Sequence, residues 1–153
     1  MRTRIITPIA IVMLSALVGF TACEKNPVDE DEHEHAEAEA MLVVLGQDTL
    51  LFQHEENGIL KEDTLRVTEG EETNNIVVSF QHHDGDFFQP MEEHFALSAA
   101  SKNEDIATTG STSNKWEFTV SGEAEGITAL TVQLMHEGHP DFTGQDIPVK
   151  VTQ

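Results

Sequence analysis

The sequence predicts an all-β domain over residues 41–153, an antiparallel sandwich or barrel. Three observations carry that reading. From Met41 onward, apolar and polar residues alternate with a period of two in short runs, the spacing that turns one face of a strand to a core and the other to water. Turn residues separate the runs. No segment after residue 40 keeps a helical apolar period over three turns.

The runs follow one another at short intervals. Residues 42–45 and 49–52 flank Gly46-Gln47-Asp48, which predicts a hairpin, and Glu55-Glu56-Asn57-Gly58 forms the next turn. Leu65 and Val67 alternate with Arg66 and Thr68. Ile76, Val78 and Phe80 form one face of the following strand, with Val77, Ser79 and Gln81 on the other. Phe95 and Leu97 mark a short strand, and Ile106 sits in another. Trp116, Phe118 and Val120 then alternate with polar neighbours, and the spacing assigns Trp116 to the core. Leu130, Val132 and Leu134 form the next inward row, and Ile147, Val149 and Val151 the last. These 113 residues suffice for one domain with its own core.

The N-terminus reads differently. Arg2 and Arg4 precede an apolar stretch over 5–20, interrupted by Thr7, Pro8, Ser15 and Gly19, with the small residues Thr21 and Ala22 after it. A basic start, an apolar middle and a small-residue cleavage site predict a signal peptide over 1–22. The stretch is shorter than the roughly 20 residues of a spanning helix. Phe20-Thr21-Ala22-Cys23 resembles the lipobox of bacterial lipoproteins. That resemblance implies a mature chain beginning at Cys23, lipidated on its sulfur and held to a membrane by the lipid. Cys23 is the only cysteine, and lipidation accounts for an unpaired thiol in an oxidising compartment. Glu24, where enteric lipoproteins retained in the inner membrane carry Asp, implies an outer-membrane lipoprotein, periplasm-facing or surface-exposed.

The formal net charge is −20, and removing 1–22 takes away two Arg and no acid. Such a field repels phosphate backbones and anionic head groups, which excludes nucleic acid as a partner and favours cations. Residues 24–40 hold eight acids, one Lys and little to bury, which predicts a flexible acidic tether over 23–40 and a domain boundary at 41.

Asn103-Glu104-Asp105-Ile106-Ala107 and the stretch from Val120-Ser121-Gly122 through Gly126-Ile127-Thr128 resemble bacterial Ig-like domains of the invasin and intimin group. The similarity covers roughly residues 64–153 and implies an Ig-like β-sandwich. The chain lacks the Tyr and the disulfide of antibody domains, and the segment 41–60 is additional to the usual repeat. His136-Glu137-Gly138-His139-Pro140-Asp141-Phe142-Thr143 also resembles a group of small His-rich bacterial lipoproteins of unsettled function.

An Ig-like topology puts the B–C loop, 82–94, and the F–G loop, 135–141, at one end of the sandwich. Five of the eight His fall there: His82, His83, His94, His136 and His139. Near neutral pH most imidazole is neutral and offers a lone pair, and zinc accepts His nitrogen with carboxylate oxygen. The candidate metal residues are therefore His82, His94, His136, His139, Asp84, Asp86 and Glu137, with His33, His35 and His83 as weak accessories. His82 and His83 point to opposite faces if their strand continues, so only one of them shares a site. Glu92 and Asp141 offer further oxygens, and Met91 and Met135 offer the soft sulfur that suits copper(I). Asp84-Gly85-Asp86 is in the first place a turn signal, and a calcium loop on these aspartates lacks the EF-hand pattern.

The leading functional expectation is a metal-binding accessory lipoprotein that captures zinc, or else copper, for an outer-membrane transporter or receptor. The alternative is an Ig-like structural or adhesion module that binds a protein or glycan without metal. No Gly-x-Ser-x-Gly elbow, His-Glu-x-x-His pair or phosphate loop occurs, so the reading is not an enzyme. Cys23→Ser is expected to abolish labelling by an alkyne fatty acid in cells and to release the chain from membranes. Continued labelling would contradict lipid attachment at Cys23.

Overall fold

The computed structural model describes residues 36–153. The signal peptide, Cys23 and the tether as far as His35, with His33, lie outside the described residues. Within them the chain forms β1 (Ala40–Leu45), β2 (Asp48–His54), β3 (Gly58–Glu62), β4 (Leu65–Thr68), β5 (Ile76–Gln81), β6 (Phe87–Phe88), β7 (Phe95–Ser101), β8 (Ala107–Ser111), β9 (Glu117–Gly122), β10 (Gly126–His136), β11 (His139–Thr143) and β12 (Ile147–Thr152). Among the described residues no helix occurs, and the fold is an all-β sandwich.

One sheet runs β3-β2-β1-β5-β9-β8, with β6 beside β5; the other runs β11-β10-β12-β4, with β7 beside β10. In Ig lettering β5, β9 and β8 are strands B, E and D, and they face C, F and G, here β7, β10 and β12. The additional segment 41–60 holds the β1–β2 hairpin and the start of β3, which pairs antiparallel with β2. Its strand β1 lies antiparallel to β5 along the edge where an Ig strand A would pair with B. The strand that reads as A, β4, instead lies parallel to β12. This is the one departure from an antiparallel sandwich among the pairings of these twelve strands.

Alternation accounts for the core. Ile76, Val78 and Phe80 of β5 and Met41 and Val43 of β1 are buried from one sheet. Leu65, Val67, Leu130, Val132, Leu134, Ile147, Val149 and Val151 are buried from the other. Trp116 meets Phe80 edge-on at 5.7 Å between ring centroids, and its indole N–H donates to the Pro90 carbonyl at 3.0 Å. A buried indole is thereby satisfied, in line with its assignment to the core.

Two sequence readings need correction. The tether does not run free to residue 40. Ala36 and Ala38 are half-buried against the core, and the Glu39 amide donates to the Gln81 carbonyl at 2.9 Å. The folded unit therefore begins before residue 41. Residues 135–141, read as a loop, are mostly strand: Met135 and His136 end β10, and 139–141 belong to β11, which runs to Thr143. Only Phe142 is a large apolar residue there and Pro140 interrupts the run, so no alternation announced a strand. Pro140 is tolerated because β11 lies at a sheet edge.

Gly122 ends β9 against β4. A Cβ there would come within 2.6 Å of the Thr68 carbonyl oxygen, a backbone atom with little room to yield. Gly122→Ala is expected to destabilise the domain by about 1–3 kcal/mol, the usual cost of overpacking. Phe80→Ala, which empties the centre of the core, is expected to cost about 3–5 kcal/mol. Denaturant unfolding measures both, and a loss below about 1 kcal/mol for Phe80→Ala would contradict this placing of the core.

Candidate metal centre

Strand β10 buries alternate residues as far as its end: Leu130, Val132, Leu134 and then His136. The same alternation that builds the core therefore carries an imidazole inward. After His136 the chain reverses in two residues, with φ of 47° at Glu137 and 91° at Gly138. Positive φ at both central residues belongs to a type I′ hairpin turn, whose twist matches that of the flanking strands. The turn sets His136 directly opposite His139 in the ladder. Cross-strand partners share a face, so the His-x-x-His spacing works through a hairpin rather than a wrapping loop.

A register shift then falls between Leu134 and Met135: Leu134 pairs with Phe142, Met135 with Pro140, and Asp141 is the extra residue. A bulge of this kind re-aims a side chain. Here it lets Phe142 enter the core while the preceding carboxylate meets both imidazoles. His136 Nδ1 lies 3.7 Å from Asp141 Oδ2, and His139 Nδ1 lies 3.6 Å from Asp141 Oδ1. The side chains of His136 and Asp141 are each 3% exposed, while that of His139 is 48% exposed. Donor atoms of all three residues lie within 4.8 Å of one another. Ligands about 2.0–2.2 Å from a tetrahedral zinc stand roughly 3.3–3.6 Å apart, so the two His–Asp separations are close to those of a ligand set.

Strand β7 supplies the floor. Phe95 pairs with His136 in the ladder and stacks on its ring at 4.6 Å between centroids, 24° from parallel. His94 stands beside it, its ring centroid 4.9 Å from that of His136, and its carbonyl accepts the Glu137 amide at 3.1 Å. The centre is thus apolar beneath, with His94 and His139 toward the surface.

Neither a protein-family model nor a curated protein matches this chain. Solved structures similar to it include domains 4 and 5 of the S-layer protein SbsC, at 22% identity and a TM-score of 0.44, covering 61% of this chain and 49% of that one. A structure of SbsC domains 4–9 is similar at 21% identity and a TM-score of 0.43, covering 60% of this chain and 13% of that one. The chain therefore spans less than half the length of either structure.

The sequence-derived candidates divide. His136, His139 and His94 come together. Glu137 is close in sequence but occupies the strained turn position. His82 leaves the group: its ring stacks on Phe88 at 3.7 Å between centroids, and its Nδ1 donates to the Glu37 carbonyl at 3.2 Å. Asp84 Oδ1 accepts the Asp86 amide at 3.1 Å, and the Gly85 amide donates to the His82 carbonyl. These aspartates build the turn their sequence first signalled. His83, read as an accessory, lines a surface depression with Asp141, Glu37 and Glu39. Met135 alternates with His136 and faces away from it, and Met91 is 88% exposed, so neither sulfur joins the cluster. Asp141 is the residue that sequence reasoning undervalued. Strand parity from His139 would have found it, had β11 been recognised.

Gly138→Ala puts a side chain at φ 91°, and is expected to destabilise the hairpin by about 1–2 kcal/mol. The same change should increase the separation of the His136 and His139 rings, weakening cross-strand nuclear Overhauser effects between them. Unaltered stability would contradict the I′ turn.

Proposed function

We propose that this chain is a membrane-anchored extracytoplasmic lipoprotein whose β-sandwich binds a divalent transition ion through His136, His139 and Asp141, with His94 alongside. Zinc suits the site best, because the donors are imidazole nitrogen and carboxylate oxygen and neither Met91 nor Met135 brings sulfur to it. The observation that carries the reading is the mutual closeness of three ligand atoms, two of them on side chains that are nearly inaccessible to water. The strongly negative chain draws cations toward the domain, and the expected lipid anchor at Cys23 would keep it at an outer membrane. Such a protein captures zinc and passes it to a membrane transporter or receptor.

A second reading is a module that binds protein or glycan through its surface, like the Ig-like domains that residues 103–107 and 120–128 resemble. Exposed Ile59 and Leu60 on the edge strand β3, and exposed Phe87 on β6, favour it. It makes no demand on the histidines.

His139 separates the two, because it is half-exposed and its loss leaves the core intact. Calorimetric titration with zinc is expected to give a Kd well below about 100 μM, or more than about 5.5 kcal/mol of binding free energy. His139→Ala should weaken it at least tenfold with little change in stability. Binding weaker than that limit, or indifferent to His139→Ala, would overturn the metal reading.

A further inference from the structure

The residues that precede β1 are held at the metal centre rather than beside it. The Ala36 amide donates to Asp141 Oδ2 at 3.2 Å, the same oxygen that lies 3.7 Å from His136 Nδ1. Glu37 offers its carbonyl to His82, and the Ala38 amide turns back to the Ala36 carbonyl at 2.6 Å. Glu39 donates its amide to Gln81, accepts the Glu55 amide on its carbonyl at 2.7 Å, and places its carboxylate 3.7 Å from His54 Nε2. Ala36 and Ala38 pack against the core. Residues 36–39 thus form a strap from the β5–β6 turn to the β11 edge, and its first amide ends on a ligand carboxylate.

We infer that this strap is a working part of the metal centre: the Ala36 N–H orients the Asp141 carboxylate for metal binding, and an ion bound there in turn tightens the strap. The inference rests on the metal reading above. A carboxylate has about four lone-pair sites on its two oxygens, so Oδ2 can accept the amide and still face an ion between the imidazoles. Carboxylate ligands are commonly hydrogen-bonded by outer partners, whose removal costs about 10–100-fold in metal affinity. Linkage then requires the ion to favour the docked strap by the same factor. Upstream of Ala36 the chain continues into the acidic, His-bearing segment 24–35, so metal occupancy would set how firmly that segment is joined to the domain. This makes Ala36 a positioning residue, acting through Asp141.

The test uses the chain from residue 24 onward, titrated with zinc chloride, as wild type and as Ala36→Pro, which deletes the N–H. Zinc affinity is expected to fall about 10–100-fold in Ala36→Pro, while the thermal midpoint without zinc changes little. In the wild type, saturating zinc should slow hydrogen exchange at the Ala36 and Glu39 amides by a similar factor. This second measurement needs no variant, so it decides the matter even if Ala36→Pro folds poorly. Unchanged affinity in a folded Ala36→Pro, or exchange at Ala36 that zinc leaves alone or accelerates, would overturn the inference and leave the metal reading standing. Absence of zinc binding by the wild type would overturn both.

Discussion

The geometry depends on strand β10 and the strict alternation of its side chains. At eleven residues it is the longest strand among the described residues, long enough to pair on one edge first with β12 and then with β11, and with β7 along the other. Its inward row of Leu130, Val132 and Leu134 belongs to the core, and burial of three such side chains favours one register strongly over a slip by one residue. His136 is the fourth member of that row. Its position is therefore set by hydrophobic packing several residues away, and the imidazole enters the sandwich because the register has no alternative.

The chain beyond His136 converts a buried histidine into a cluster. A tight I′ turn gives it a cross-strand partner, and a bulge one step later brings the Asp141 carboxylate to both rings. Each device has a local cause: Gly138 tolerates positive φ, and an edge strand tolerates Pro140 and a bulge. The core-facing half of the site is rigid because it shares the packing of β7 and β10. Its outer half, His139 and the edge strand, lies where sandwiches accept variation most easily. Binding an ion there would couple the edge to the core, since the ligand set spans both.

Much of the fold was legible because alternation is a direct readout of a half-buried sheet. The runs from Leu65 to Val151 became strands, with Ile106 and Trp116 in the turns just before β8 and β9, and residues 42–52 became the predicted hairpin, while β3 beside it was not foreseen. What escaped was structure made without alternation. Strand β11 carries Pro140 and one large apolar side chain, β6 is two residues long, and the parallel β4–β12 pairing leaves no local mark in sequence. The strap escaped for another reason: 36–39 is polar and Ala-rich, and hydrogen bonds to distant residues hold it more than burial does. At the candidate site, counting histidines at one end pointed to the region where His136, His139 and His94 come together. It could not rank them, because whether a ring meets Asp141, like His136, or stacks on Phe88, like His82, depends on contacts remote in sequence.

The strap brings the first described residue of the folded unit to the cluster, with the Ala36 amide on the Asp141 carboxylate. The central claim is the ligand set itself. Anomalous diffraction at the zinc edge from a crystal grown with zinc tests it most directly. One strong peak is predicted about 2.0–2.2 Å from a nitrogen of His136, a nitrogen of His139 and an oxygen of Asp141. A peak at His82 and Asp84 instead, or no peak within reach of His136, would contradict the account.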